Sequence, residues 1–518
     1  MKRQSLSDPS RRDLFRGAGV GVAAGLLAGS AATAKAASIK PQPPTVYTRI
    51  GVRPFINLKA AYTIDGGLLT LPEVKHAMED ASYHSVNLDE LMAKVGERLG
   101  QLFGAEYGIV SAGGAASLSL ATAACVAGGN TERIQFLPHP ELAGLKTEVI
   151  MPRASRNEYD HAVRAVGVKI INIDTRDEFR RALGKQTALV VVLGSNQGRI
   201  PLEQMVADAH EKGVPVLIDA SPEVPKRPNP YLSRGVDMVS YSGGKYLCGP
   251  QCSGVLLGRK DLVHAAWVNC SPHHGLNRTM KVGKEEIMGL LAAVETYFQR
   301  RNYQEDVHRW DQALSVIAQR VSQVPGIKTQ LLPPPGVNPH PILRIDWDPE
   351  KIPIDADELH TLFLEGEPRL MTHAEGGGHS FDVRAAGMKP GDEKLAADRI
   401  HDVFVQASKK AKRTPKAPAM NITGAWNVEI QYVSGSARHR FQLETAGNRV
   451  TGTHNGEFAK GAIQGTVDGT QVVLRSRLPF DSIKLPFVFR GALNGGRMSG
   501  QVDLGEHGTA KWSARREA

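Results

Sequence analysis

Cysteine is scarce: Cys125, Cys248, Cys252 and Cys270 are the only four in 518 residues. A chain this long builds its core without covalent staples, so disulfides are permitted but not demanded. Cys248 and Cys252 have no second ligand pair at zinc spacing, which argues against a metal site. A large excess of one charge is missing as well. The formal net charge of +10 falls to +6 once the first 36 residues are set aside. The remainder is spread along the chain, so nucleic acid is not an implied partner. With 41% hydrophobic residues and abundant glycine, the composition suits a globular protein of two to four domains rather than a disordered one.

The extended apolar stretch lies near the amino terminus. It follows Arg11-Arg12-Asp13-Leu14-Phe15-Arg16, is built mainly of Gly, Ala, Val and Leu, and leads to Ala34-Lys35-Ala36, a small-x-small cleavage pattern. Residues 1–36 therefore read as a twin-arginine export signal, and the expected location is periplasmic. The cleavage pattern favours this over a stable membrane anchor. That route carries proteins already folded.

From about Tyr47 to Ala407, helical and strand-like segments alternate, the pattern of an α/β domain on a largely parallel sheet. Strands are expected at 107–110, 147–151, 169–173, 188–193, 215–218, 238–241 and 254–257. Helices are expected at 71–81, 89–103, 115–127, 177–183, 202–212 and 284–300. The expected division is a large domain over 47–305 and a smaller α+β lobe over 306–407, with residues 47–70 open to packing with that lobe. Residues 408–420 are basic and proline-bearing and read as a linker. Beyond them, over 421–518, eight short strands follow one another without helices. Hairpin signals such as Asp468-Gly469 and Asn494-Gly495 punctuate them, and an antiparallel up-and-down β-barrel is expected.

Chemistry concentrates at Ser242-Gly243-Gly244-Lys245 and at the aspartate ending Val216-Leu217-Ile218-Asp219. In an open α/β sheet, ligands sit beyond the carboxyl ends of strands, and both groups fall on that edge. A lysine that can hold an aldehyde as a Schiff base, with a carboxylate that can keep a ring nitrogen protonated, is what pyridoxal 5'-phosphate requires. Ser242 and the glycine-rich turn at Gly113, Gly114 and Ala115 suit its phosphate, through a hydroxyl and the free amides of a helix start. Arg278, Lys281 and Lys284 could supply charge to a phosphate or a substrate carboxylate, Lys284 serving equally as a solvated helix entry. His273 and His274 are loop residues that could carry a proton.

These residues resemble the family of pyridoxal phosphate enzymes that includes selenocysteine synthase and D-glucosaminate-6-phosphate ammonia lyase. The resemblance spans about Tyr47 to Val405. It rests on Val216-Leu217-Ile218-Asp219-Ala220, on Ser242-Gly243-Gly244-Lys245 with Gly249-Pro250-Gln251 and Gly254, on Arg278-Thr279-Met280-Lys281-Val282-Gly283-Lys284, and on Arg156-Asn157-Glu158-Tyr159-Asp160. It implies a fold-type I large domain and a homodimer or larger homo-oligomer with sites between subunits. Lys245 is then the Schiff-base lysine, Asp219 the ring-nitrogen partner, and Ser242, Gly113, Gly114 and Ala115 the phosphate site. The chain departs from the family pattern at Ser155, where relatives often carry histidine, and at His373, near which they carry an arginine; Arg369 is the candidate replacement.

The resemblance points to a lyase on a small amino compound, an amino acid or amino sugar acid, by α-proton removal and β-elimination. Aminotransferases and racemases share the first steps and remain alternatives, as does a ligand-binding protein that uses its barrel. Selenocysteine synthase activity itself is not expected, because an exported protein does not meet charged tRNA.

Overall fold

A computed structural model describes residues 44–195, 197–335, 339–372, 378–412 and 414–517. The expected export signal and His373 lie outside the described residues. Among those described, no helix is long and apolar enough to cross a membrane.

Seven strands form the sheet of the large domain: β1 (Tyr107–Ser111), β2 (Glu148–Pro152), β3 (Lys169–Ile173), β4 (Thr187–Leu193), β5 (Val216–Asp219), β6 (Met238–Ser242) and β7 (Gly254–Gly258). Their order is β1-β7-β6-β5-β4-β2-β3. Only β7 runs against the others, pairing antiparallel with both β1 and β6. β4, β5 and β6 are buried along almost their whole length, which is why these strands read as continuous apolar runs rather than as alternation. Helices cover the sheet, among them Leu88–Phe103, started by an Asn87 side chain that accepts from the amides of Asp89 and Glu90, and the almost wholly buried Gly114–Ala127. One consequence governs the site: β1, β5 and β6 all end on the same edge.

A second core gathers Trp310, Leu314, Ile345, Phe363 and Phe404 around the antiparallel strands Ile327–Leu332, Ile342–Trp347 and Ser380–Val383. Ile56 and Leu58 belong to it, because Ile56–Asn57 pairs in parallel with Leu370–Met371. That pairing leads the chain from this core directly into Lys59.

The third core fills a closed barrel of eight antiparallel strands between Gly424 and Arg516, each paired with its sequence neighbours. Closure comes from Gly424–Gln431 pairing with Thr509–Arg516, which leaves no free edge. Alternation is clear here: in Ser436–Ala446, inward Ala437, His439, Phe441 and Leu443 alternate with exposed neighbours. The basic segment before the barrel is held at both ends, by Lys410 to Glu358 and Lys412 to Glu350 on one side and by the Lys416 amide to Asp468 on the other.

Candidate active site

Asp219 is the last residue of β5 and is 6% exposed. Its Oδ1 accepts from the Ser221 amide at 3.0 Å, an Asx-type turn that aims the carboxylate off the strand end. On the adjacent strand, β6 ends at Ser242 and a tight turn delivers Lys245. The lysine is largely buried, and burial holds its ammonium below the ordinary lysine value, while the nearby charges of Asp219 and Glu158 act in the opposite direction. A lysine that readily gives up its proton is a competent nucleophile for an aldehyde.

The Tyr159 ring stands 5.5 Å from Lys245 Nζ. Burial raises its phenol, with Glu158, Asp219, Tyr62 and Glu506 adding to the effect, so the hydroxyl stays protonated at neutral pH. A small cavity beside Asp219 is walled by Ser155, Asn157, Asp160 and Leu193. Ser155 is thus at the site, as its place in the motif suggests, but it offers no ring to stack.

The phosphate end is equally crowded. The Gly114–Ala127 helix begins at this edge, and a Cβ on Gly114 would stand 2.5 Å from Ser221 Oγ and 3.7 Å from Ser242 Cβ. A Cβ on Gly254, the first residue of β7, would stand 2.5 Å from the Gly113 carbonyl carbon. The Ser221 hydroxyl therefore sits against a helix start whose close approach requires glycine, with Ser242 beside it. Free amides, helix dipole and hydroxyls together suit an anion. Lysine, carboxylate and anion cradle share one edge of the sheet, with Asp219 close enough to act electrostatically on Lys245, and these residues fit pyridoxal 5'-phosphate.

The comparisons agree. A family model for aminotransferase class-V matches residues 156–282. The chain is 33% identical over 299 residues to 5'-C-glycyluridine monooxygenase-decarboxylase from a Streptomyces species, spanning 55% of this chain and 73% of that one. It is 31% identical over 269 residues to D-glucosaminate-6-phosphate ammonia lyase from Salmonella typhimurium, spanning 49% and 71%. The protein belongs to this family of fold-type I pyridoxal phosphate enzymes. A solved structure of D-glucosaminate-6-phosphate ammonia-lyase shares the fold, with a TM-score of 0.62 at 24% identity over 71% of this chain and all of that one. The coenzyme is pyridoxal 5'-phosphate.

Within this family member, Lys245, Asp219, Ser242, Gly113, Gly114 and Ala115 come together at one edge. The other basic candidates do not join them. Arg278 donates to Ser271 Oγ at 3.0 Å, and Lys281 is exposed. Among the described residues no hydrogen bond, ion pair or ring contact links either to Lys245 or Asp219. Lys284 donates to the Ala81 carbonyl at 2.8 Å and pairs with Glu285, so it anchors a helix start. His273 is held by Asp89 at 3.1 Å and by the carbonyls of Trp267 and Cys270, and His274 is exposed. Arg369 lies in the smaller lobe, its guanidinium 6.0 Å from the Phe55 ring centroid. All four cysteines are free.

Several residues at this edge or in the adjoining lobe have no role in the sequence expectations. Ser221 follows Asp219 by two positions, and an Asp-x-Ser turn at a strand end was a usable signal. Tyr159 sat in a recognised motif without a role. Glu223 accepts twice from the Tyr231 hydroxyl, at 2.8 and 2.7 Å, and burial raises its carboxyl with Asp219 adding to the effect. Lys59 pairs with Asp65 at 3.1 Å beneath Tyr62. Arg384 Nη1 is buried with no hydrogen-bond partner among the described residues, while the Arg384 amide donates to the Leu58 carbonyl. Nothing in local sequence distinguishes Arg384 from a surface arginine.

Proposed function

We propose that this enzyme is a lyase acting on a small amino compound, an amino acid or amino sugar acid, and that it works outside the cytoplasm as a homodimer or larger homo-oligomer. The observation that carries the reading is the buried Lys245 beside Asp219 and under Tyr159. The relative named an ammonia lyase supports the reaction type.

When bound, the coenzyme accepts the electron pair left behind as the substrate's α-proton departs. Asp219 keeps a proton on the ring nitrogen and so keeps that acceptor strong. The helix start at Gly114, with Ser221 and Ser242, would hold the phosphate. Lys245, when not bonded to the coenzyme, would take the substrate's α-proton, and its lowered proton affinity would let it pass that proton on. Tyr159 covers the lysine and keeps bulk water from it. Arg384, whose Nη1 is buried without a hydrogen-bond partner among the described residues, is the candidate in the smaller lobe for an anionic group on the substrate. Loss of a β-substituent and hydrolysis then give a keto product and ammonia.

The homo-oligomer is what the family resemblance implies, with Arg278 and Lys281 as the candidates for a second copy's site. The twin-arginine pattern at residues 11 and 12 supports export of the loaded protein.

The test is spectroscopic and then chemical. Purified protein incubated with pyridoxal 5'-phosphate should absorb visible light, and the Lys245→Ala variant should lack that band. Amino acids and amino sugar acids are then screened for release of ammonia and a keto acid. A wild-type protein that stays colourless overturns the enzyme reading; a coloured protein that transfers the amino group to an acceptor keto acid instead overturns the lyase.

A further inference from the structure

The barrel reaches the active site. The hairpin joining strands Gln471–Phe480 and Ile483–Asn494 has the two-residue turn Asp481-Ser482, with Asp481 at φ +48°. Asp481 Oδ2 accepts from Arg156 Nη2 at 2.7 Å and lies 3.5 Å from Arg164 Nε. Ser482 Oγ donates to Asp160 Oδ1 at 3.0 Å. Arg156 also donates to Asp160 at 2.5 Å and to Asn172 at 2.6 Å. The Arg156 side chain is 7% exposed and that of Asp160 1%.

The charges in this cluster balance only across the domains. The large domain contributes two arginines and one buried carboxylate; the second carboxylate, Asp481, comes from the barrel. Without the turn, Arg156 and Arg164 would share the single carboxylate of Asp160, leaving excess positive charge beside a buried pair, so the cluster is balanced only with the turn in place. Asp160 also walls the cavity beside Asp219, and Tyr159, which covers Lys245, is its immediate neighbour. A second barrel turn carries Glu506, which acts electrostatically on Tyr159.

The barrel grips the smaller lobe too. Arg475 and Arg490, on the two strands of the same hairpin, donate to Asp357 Oδ2 at 2.5 and 2.9 Å, in the first turn of helix Ala356–Glu365. One hairpin therefore ties the large domain to the lobe that leads into Lys59.

We infer that this hairpin is a built-in part of the catalytic apparatus: Asp481 and Ser482 are positioning residues that hold segment Ser155–Asp160, and with it Tyr159, against Lys245. The inference rests on the proposed function for its meaning but not for its test. In the full-length protein, Asp481→Asn removes the charge while keeping a side chain that accepts positive φ, and Asp481→Ala with Ser482→Ala removes both contacts.

Hydrogen exchange of peptides covering 155–164, without coenzyme, should quicken by about tenfold or more in the double variant. Exchange in barrel strands 436–455 should stay as in the wild type, which shows that the barrel is folded. With coenzyme, the pH midpoint of the visible band should move in Asp481→Asn, because Tyr159, Glu158 and Asp219 surround Lys245, and Asp481→Glu should bring it back. Unchanged exchange at 155–164 together with an unmoved midpoint overturns the inference. Should the double variant lose barrel protection, Asp481→Asn decides alone, and unchanged exchange at 155–164 there overturns the inference. A wild-type protein that never binds coenzyme defeats the proposed function, while the exchange result still decides the role of the hairpin.

Discussion

Asp219→Asn tests the electronics of the site with little disturbance to its shape. The amide oxygen of asparagine can still accept from the Ser221 amide at the observed 3.0 Å, so the turn after β5 is retained. What is lost is a negative charge at a position 6% exposed to solvent. A carboxylate within about 4–6 Å of a cationic group raises its pKa by about 1–3 units. At about 1.4 kcal/mol per unit, the variant forfeits about 1.4–4 kcal/mol of preference for the protonated ring. If that preference carries through to the transition state, α-proton removal slows by about ten- to a thousandfold. The assay is exchange of the substrate α-proton in deuterated water, followed by NMR, which reads that step without requiring a complete turnover. Coenzyme should remain bound, since Lys245 and the phosphate cradle are untouched. An exchange rate within twofold of wild type in a coenzyme-saturated variant would refute the assignment of Asp219 to the ring nitrogen.

Gly114→Ala should weaken coenzyme binding by about ten- to a hundredfold, the cost of about 1.5–3 kcal/mol for displacing one charge-assisted hydrogen bond, because its Cβ would press on Ser221 Oγ. Equilibrium titration of the visible band measures this, and adding Ser221→Ala should relieve the steric part. Without coenzyme, Lys245 should acylate at lower pH than exposed lysines because burial depresses its pKa, and Asp219→Asn should lower that pKa further by removing a charge that raises it. Mass-spectrometric labelling across a pH series checks both, and an ordinary lysine profile in the wild type counts against the buried site. In the barrel, His439 Nδ1 lies 2.7 Å from His454 Nε2, and burial pushes His454 down to about 3. The folded pKa is below the unfolded one, so the stabilisation is present above about pH 6.5 and is lost as pH falls toward 3. The barrel should lose about 2 kcal/mol between pH 7.5 and pH 5, read as faster intrinsic-rate-corrected hydrogen exchange in strands 436–455.

The parts of the molecule that were legible in sequence are those set by local pattern. The apolar runs of β4 and β5 are buried on both faces, and the alternation of Ser436–Ala446 has one face in the barrel, so each declares its environment. Lys245 and Asp219 were legible because strand ends in an α/β sheet share an edge. The reversed direction of β7 was not, since Gly254–Gly258 reads like any buried strand and its direction is set by how the chain returns. Tyr159 meets Lys245, and Ser482 meets Asp160, across large sequence separations that no period or spacing encodes. Arg278 and Lys281 show the converse: a motif recognised in sequence whose side chains make no contact with their own chain's Lys245.

The barrel closes on its own last strand, Thr509–Arg516 against Gly424–Gln431. Synthesis runs from amino to carboxyl end, so the sheet with Lys245 and Asp219 is complete long before that pairing can form. Until it does, the hairpin carrying Asp481 has no closed cylinder behind it. The catalytic edge is thus assembled early and braced last, and a nonsense mutation a few residues from residue 516 should leave a chain with every reactive group present and its brace unfinished.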